Sequence, residues 1–245
     1  MQPESAKQPS DVNAVVSDDY CVDILKAVAD LSGVLLSDED LDRGVNQALE
    51  ILGKSIAADR LNILKHREDP TGKTLGCVVA RYEWLSNNID SQIQHRDLYR
   101  ISYDGIEDCY NLFRAGKHWG GEIDTLPEPF RSEQLKLGVK ATYAIPIVIK
   151  GKYWGIIGLD FCKRARQLEA SKIEVLKTAA SCIGNAIQKD YVLEEREKIR
   201  CQASLAKQKA TILQERDRIL KLTTDAAQAL LNNENLETAD RKSVV

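Results

Sequence analysis

The chain has 245 residues, 43% of them hydrophobic and 29% charged, with a formal net charge of -3. That is enough for one domain of ordinary size plus an extended segment. No apolar run approaches the ~18 residues of a membrane span, the polar start MQPESAKQPSDVNAVVSDDY has no signal-peptide core, and a mildly acidic chain without a basic block gives no reason to expect nucleic-acid binding.

Residues 1–20 read as a disordered leader. Residues 23–58 follow with helical periodicity. Ile24, Leu25, Val28 and Leu31 form a first stripe that Leu35 and Leu36 end, and Ser37-Asp38-Glu39-Asp40 is a capping signal. A second helix carries Leu41, Val45, Leu49, Ile51 and Leu52 and stops near Ser55 to Ala58. Arg60 to His66 alternates as a strand, with Leu61, Ile63 and Lys65 against Asn62 and Leu64. Asp69-Pro70-Thr71-Gly72 is a turn, and Thr74 to Trp84 is the returning strand. The polar stretch Leu85 to Tyr103 is long for a connection in a compact domain, and loops of that length often serve as lids or binding segments. Ile106 to Ala115 predicts a short helix closed by Gly116, Lys117 to Asp124 a brief strand, and Pro129 the start of another short helix with Phe130, Leu135 and Leu137, stopped by Gly138.

Lys140 to Cys162 predicts two long strands joined at Lys150-Gly151-Lys152, where glycine supplies the positive φ of a tight turn. Ala141, Tyr143, Ile145, Ile147 and Ile149 share one face; Thr142, Ala144, Pro146 and Val148 share the other. In the second strand Tyr153, Ile157, Leu159 and Phe161 alternate with Trp154, Ile156, Asp160 and Cys162. Neither face suits water, so this hairpin is expected at the centre, with helices on at least one side and further structure on the other. Gly155 and Gly158 remove side chains where a helix or a ligand comes close to the backbone. Asp160 among apolar neighbours needs a partner, and Pro146, lacking an N–H, demands a ladder break or a bulge.

From about Ala170 to Leu231 the chain reads as one long helix, interrupted by no proline and one glycine, Gly184. Ile173, Leu176, Ala180, Ile183 and Ile187 keep a 3-4 spacing that suits packing on the domain. Past a phase break at Gln188 to Val192, Ile199, Ala203, Ala206, Ala210, Leu213 and Leu220 keep it again, as a coiled-coil seam between chains would, weakened by its alanines and Asp217; a solvated single helix is the alternative. Ile24-Leu25-Lys26 and Val34 to Leu41 recur at a fixed offset as Ile219-Leu220-Lys221 and Ala229 to Leu236. This predicts that the same domain begins again near Ile219, in a tandem array or in a gene that lost its remainder. The expected organisation is a domain over 21–190, a coiled-coil helix over 191–231, and the start of a truncated second repeat or a disordered tail over 232–245.

Chemical motifs are sparse. The six cysteines form no CxxC pair and suit a reduced, cytoplasmic protein. His66, His95 and His118 have no metal-ligand spacing, so no metal is expected. His118-Trp119-Gly120-Gly121 is too short for a phosphate loop, the HRD at 95–97 lacks the other kinase signatures, and no histidine after 118 is available as a phosphoacceptor on the long helix. Nothing in the sequence calls for catalysis.

Three pieces together resemble the GAF domain family, in the bacterial subgroup that precedes sensor kinases and cyclases: RYEW at 81–84, LPEPFRSEQLKLGVKATYAIPIVIKGKYWGIIGLDFC at 126–162, and IEVLKTAASCIGNAIQ at 173–188. The resemblance implies an α+β, GAF/PAS-like fold. An antiparallel sheet of five or six strands would have helices on both faces, those from the two chain ends on one and a pocket under short helices on the other, followed by the long C-terminal helix. It makes Trp84, Tyr143, Trp154 and Asp160 candidate ligand-binding residues and leaves the cofactor unknown. Covalent bilin attachment is not expected, because the Cys-His pair of photoreceptor relatives is replaced by Pro129-Phe130-Arg131; the subgroup's Trp and Glu ahead of the long helix are replaced by Leu168 and Lys172. The implied function is a cytoplasmic signalling domain of two-component type. It would bind a small molecule and act, as a homodimer through the C-terminal helix, on a kinase or cyclase output domain absent from this chain. The alternatives are a ligand-free dimerisation module and a thiol-based methionine sulfoxide reductase; for the latter, Cys77, Cys109 and Cys162 stand in strands and a helix rather than loops.

Overall fold

A computed structural model describes residues 25–91 and 100–242, with side chains described to residue 229. The expected leader, Cys21, Ile24, and the HRD segment with His95 lie outside the described residues.

Helix α1 spans 25–37 and α2 spans Leu41–Ile56. The capping signal works as read: the Asp40 carboxylate accepts from Arg43 N at 3.1 Å, satisfying an amide that α2 itself leaves unbonded. Ala57, left-handed at φ 50°, ends the helix. Val28, Leu31 and Leu35 are buried, but Leu25 and Leu36 are exposed. The buried stripe of α1 therefore runs through Ala27 and Val28, one step from the face that Leu25 implied.

Six strands follow: β1 (Arg60–Arg67), β2 (Cys77–Leu85), β3 (Arg100–Ser102), β4 (Trp119–Glu122), β5 (Ala141–Ile149) and β6 (Lys152–Phe161). They form one antiparallel sheet in the order β3-β2-β1-β6-β5-β4. Between β3 and β4 lies α3 (Glu107–Arg114), and between β4 and β5 lies α4 (Phe130–Lys136). The β1–β2 turn is held by Asp69, whose carboxylate accepts from the backbone N–H of Thr71, Lys73 and Thr74. Because Asp69 keeps residues up to Thr74 in the turn, β2 starts at Cys77, later than expected.

The central hairpin forms as read, with Lys150 and Gly151 both at positive φ in the turn. Its second strand needs a correction. The register slips between Ile147 and Val148, so Tyr153 rather than Trp154 pairs with Val148. This bulge reverses the alternation at its outer end. Tyr153 packs on the face of Ile156, and Trp154 on the face of Ile157. Gly155 sits at the bulge because a side chain there would overlap the carbonyl of Leu64 in β1; the close approach is by a strand, not by a helix or ligand. Pro146 itself stays in register with Ile156, and β4 has already ended opposite Ala144 on its other side.

Helix α5 spans Ala170–Lys242, beyond the expected end at Leu231. The stretch after Leu231 contains neither glycine nor proline, so asparagines alone do not stop it. Two compact units divide at Asp190/Tyr191. In the first, α1, α2 and the opening turns of α5 cover one sheet face. Val45, Leu49, Leu52, Leu61, Ile63, Ile145, Ile147, Ile157 and Leu159 meet Ile173, Leu176, Ala180 and Ile183 there, all buried. Gly184 allows α5 its approach: a methyl there would lie 3.1 Å from Ile147 Cγ2 and 3.3 Å from the Val148 carbonyl. The other face is covered by α3 and α4. In the second unit, residues 191–229 are helical and exposed apart from the half-buried Val192, and Ile199, Leu213 and Leu220 lie on its surface.

Candidate functional site

The face under α3 and α4 is built from three rungs of cross-strand neighbours. Arg60, Asp160 and Thr142 stand opposite one another on β1, β6 and β5; Asn62, Gly158 and Ala144 form the next rung; Leu64, Ile156 and Pro146 the third. Since directly opposed residues share a face, a polar rung, a mixed rung with no side chain at its centre, and an apolar rung line up beneath the helices. A methyl on Gly158 would meet only Asn62 Cβ, at 3.8 Å.

Over this floor lies a chamber of about 50 Å³, room for roughly three to five water-sized groups. Asn62, Leu64, Ile156, Gly158, Thr142 and Asp160 line its floor. Tyr103, Ile106, Cys109, Phe113, Trp119, Phe130 and Gln134 complete the walls and roof. Trp119 and Phe130 meet edge to face at 5.0 Å. Behind the wall, His66 sits among Tyr103, Tyr110 and Tyr153, with ring centroids 5.3–5.7 Å away, and the Tyr103 and Tyr153 hydroxyls are 2.7 Å apart.

The polar rung is locked. Arg60 Nη1 donates to Asp160 Oδ2 at 3.0 Å and Nη2 to the Asp90 carbonyl at 3.1 Å, while Thr142 Oγ1 donates to Asp160 Oδ1 at 2.7 Å. Burial pushes the Asp160 carboxyl pKa up, against the opposing pull of Thr142 and Arg60. Two polar atoms on these rungs have no hydrogen-bond partner among the described residues: Arg60 Nε, 3.8 Å from Glu83 Oε1, and the Asn62 amide oxygen.

Of the four residues singled out from sequence, only Asp160 turns its side chain to this chamber. Tyr143 borders it, but its ring packs on the helix face 6.4 Å from Phe161, and its hydroxyl donates to the Arg166 carbonyl and accepts from Leu168 N. Trp154 is carried to the helix face by the bulge, where the Lys65 ammonium lies 5.7 Å from its ring centre. Trp84 packs against α2 at Gly53 and edges a separate cleft of about 680 Å³ with Lys54, Asp59, Lys163, Arg164 and Arg166. Burial works to raise the Asp59 pKa, but the N–H groups of Lys163 and Cys162 and the Lys163 ammonium outweigh it and hold the carboxyl below its ordinary value. Sequence reading missed Asn62 and Arg60; an asparagine between Leu61 and Ile63, facing a glycine strand, was the available signal.

Thiol chemistry finds little support. Cys109 is buried in the chamber roof with its pKa pushed up to about 12 by burial, and burial raises Cys162 as well. Among the described residues no three His, Cys, Asp or Glu side chains gather as a metal site would require, and no helix is long and apolar enough to cross a membrane.

No protein-family profile matches the chain. Among solved structures, the GAF domain of a phosphoenolpyruvate-protein phosphotransferase from Coxiella burnetii superposes with a TM-score of 0.57 at 13% identity, covering 71% of this chain and 98% of its own. A phycoerythrobilin-bound GAF domain from a cyanobacterial phytochrome gives 0.57 at 12% identity, with 71% and 98% covered. The chain folds as a GAF domain. Among curated proteins, the methanogenesis regulatory histidine kinase FilI of Methanothrix harundinacea (strain 6Ac) is 31% identical over 164 residues, which is 66% of this chain and 18% of that protein. The chain thus spans less than a fifth of that kinase's length.

Proposed function

We propose that this GAF domain is a cytoplasmic sensory module of two-component type. A small molecule in the chamber biases α5, and α5, paired in a homodimer, acts on an output domain of the kinase or cyclase type. The observation that carries the reading is the shared sheet. The β5–β6 hairpin floors the chamber with Thr142, Ala144, Ile156 and Asp160, while its alternate residues Ile145, Ile147, Ile157 and Leu159 pack on the first turns of α5. A displacement of the floor is felt at Gly184, where helix and strand leave no slack. The ligand must prefer one state by about 1–3 kcal/mol to matter.

Pairing of α5 is supported by Ile199, Ala206, Leu213 and Leu220, which repeat every seventh residue on an exposed face. The regulatory kinase relative supports the signalling role. A bilin is not carried over from the phytochrome neighbour, because a tetrapyrrole exceeds this chamber many times over. The small volume is also the one observation favouring the second reading, a dimerisation module whose chamber binds nothing.

Sedimentation of the full chain tests the pairing. The wild type is expected to dimerise, and Leu213→Glu with Leu220→Glu to be monomeric; a monomeric wild type overturns the proposal. A spin label on the exposed Cys201 then reports the distance between paired helices. Gly158→Ala, which fills the chamber, is expected to shift that distance, whereas an unchanged distance favours the ligand-free module.

A further inference from the structure

The chamber's chemistry narrows what it can hold. Asn62 is 4% exposed, lines the floor beside Gly158, and its amide oxygen accepts no hydrogen bond among the described residues. A buried acceptor left unmade is costly, and native proteins rarely keep one without a partner. Gly158 opposite Asn62 leaves space on the floor: the neighbouring rungs carry Asp160 and Ile156 at their β6 position, and this one carries no side chain there. The position asks for a hydrogen-bond donor.

The surroundings also limit charge. Arg60 and Asp160 are committed to each other, to Thr142 and to the Asp90 carbonyl. Arg60 is not among the chamber's lining residues. The remaining walls are apolar or neutral: Leu64, Ile106, Phe113, Trp119, Phe130 and the Gln134 amide. A charged ligand would enter without a counter-ion of its own and lose its hydration. An anion would in addition face the Asn62 oxygen and the Asp160 carboxylate. Size sets the last limit, since about 50 Å³ holds about three to five heavy atoms.

We infer that the chamber takes a compact, uncharged molecule of a few heavy atoms that donates an N–H or O–H to the Asn62 amide oxygen, a small amide or alcohol. This rests on the sensory reading above and deepens it by naming the ligand class.

Three probes of similar size and different charge test it: acetamide, acetate and ethylammonium, titrated into the full chain while the Asn62 side-chain amide and Gly158 N–H are followed by NMR. Acetamide is expected to shift both resonances saturably at millimolar concentration, and the two ions to leave them unmoved. Asn62→Val removes the unmade acceptor. It is expected to weaken acetamide at least tenfold while raising the melting temperature of the free protein, an increase that a purely structural asparagine would not give. Gly158→Ala is expected to exclude acetamide with the fold retained. Stronger binding of acetate or ethylammonium overturns the ligand class and leaves the sensory reading standing. Failure of all three probes, or xenon binding where acetamide does not, overturns it as well and identifies an apolar packing void. Acetamide binding without any change at a Cys201 spin label sustains the class and removes the sensory reading instead.

Discussion

The two faces of the sheet are made from the same strands yet differ in kind. On the helix face, Leu49, Leu52, Leu61, Ile63, Ile145, Leu159 and Ile183 are fully buried, and the fit is close enough that one glycine decides how α5 can lie. On the chamber face, the strands present Arg60, Asn62, Thr142 and Asp160, with a vacant position at Gly158. Dense apolar packing of this kind holds the fold together and transmits strain. Buried polar groups beside a small void are costly wherever they are left unpaired. The difference separates the part of the molecule that holds the fold from the part that we propose reads a ligand.

The largest expected effect comes from the polar rung. Arg60→Ala strands Asp160 in a buried site and is expected to destabilise by about 3–5 kcal/mol, measured by chemical denaturation. If Asp160→Asn in that background fails to restore much of the loss, the rung is not held by the ion pair. On the opposite face, Leu49→Ala is expected to cost about 2–5 kcal/mol through a cavity. A loss below 1 kcal/mol would mean that this face is not close-packed.

One chemical change compares the faces directly. Gly184→Ala pushes a methyl against Ile147 and Val148 and is expected to cost about 1–3 kcal/mol. Gly158→Ala adds the same methyl with no atom nearer than 3.8 Å and is expected to change stability by less than about 0.5 kcal/mol. Equal costs would erase the distinction. The smallest effect at neutral pH belongs to Cys109. Its folded pKa, raised to about 12, lies above the ordinary thiol value, so the stability it contributes is complete below about pH 9 and is lost as pH rises towards 12. The wild type should therefore lose its advantage over Cys109→Ala across that window, and Cys109 should resist alkylation at pH 7 while Cys201 reacts.

Much of the fold was legible because alternation and punctuation agree. The Lys140 to Cys162 hairpin, the Asp40 cap, and the stops at Gly116 and Gly138 follow from residue type alone. Three things were hidden. The bulge at Trp154 leaves no compositional mark except Gly155, and it moved Trp154 and Tyr153 to opposite faces from those expected. The three residues of β3 are too few to show a period. The chamber itself depends on register: Asp160 announced its need for a partner, but nothing in the sequence aligns Arg60 with Asp160 or Asn62 with Gly158.

The central claim is that the sheet divides a closed core from a chamber that recognises a donor-bearing molecule. A crystal structure of the protein purified under native conditions and soaked with acetamide tests it most directly. The account predicts ligand density over Gly158 with a nitrogen within about 3.2 Å of the Asn62 amide oxygen; an Asn62 side chain turned away to a protein partner, with no density above Gly158, would contradict it.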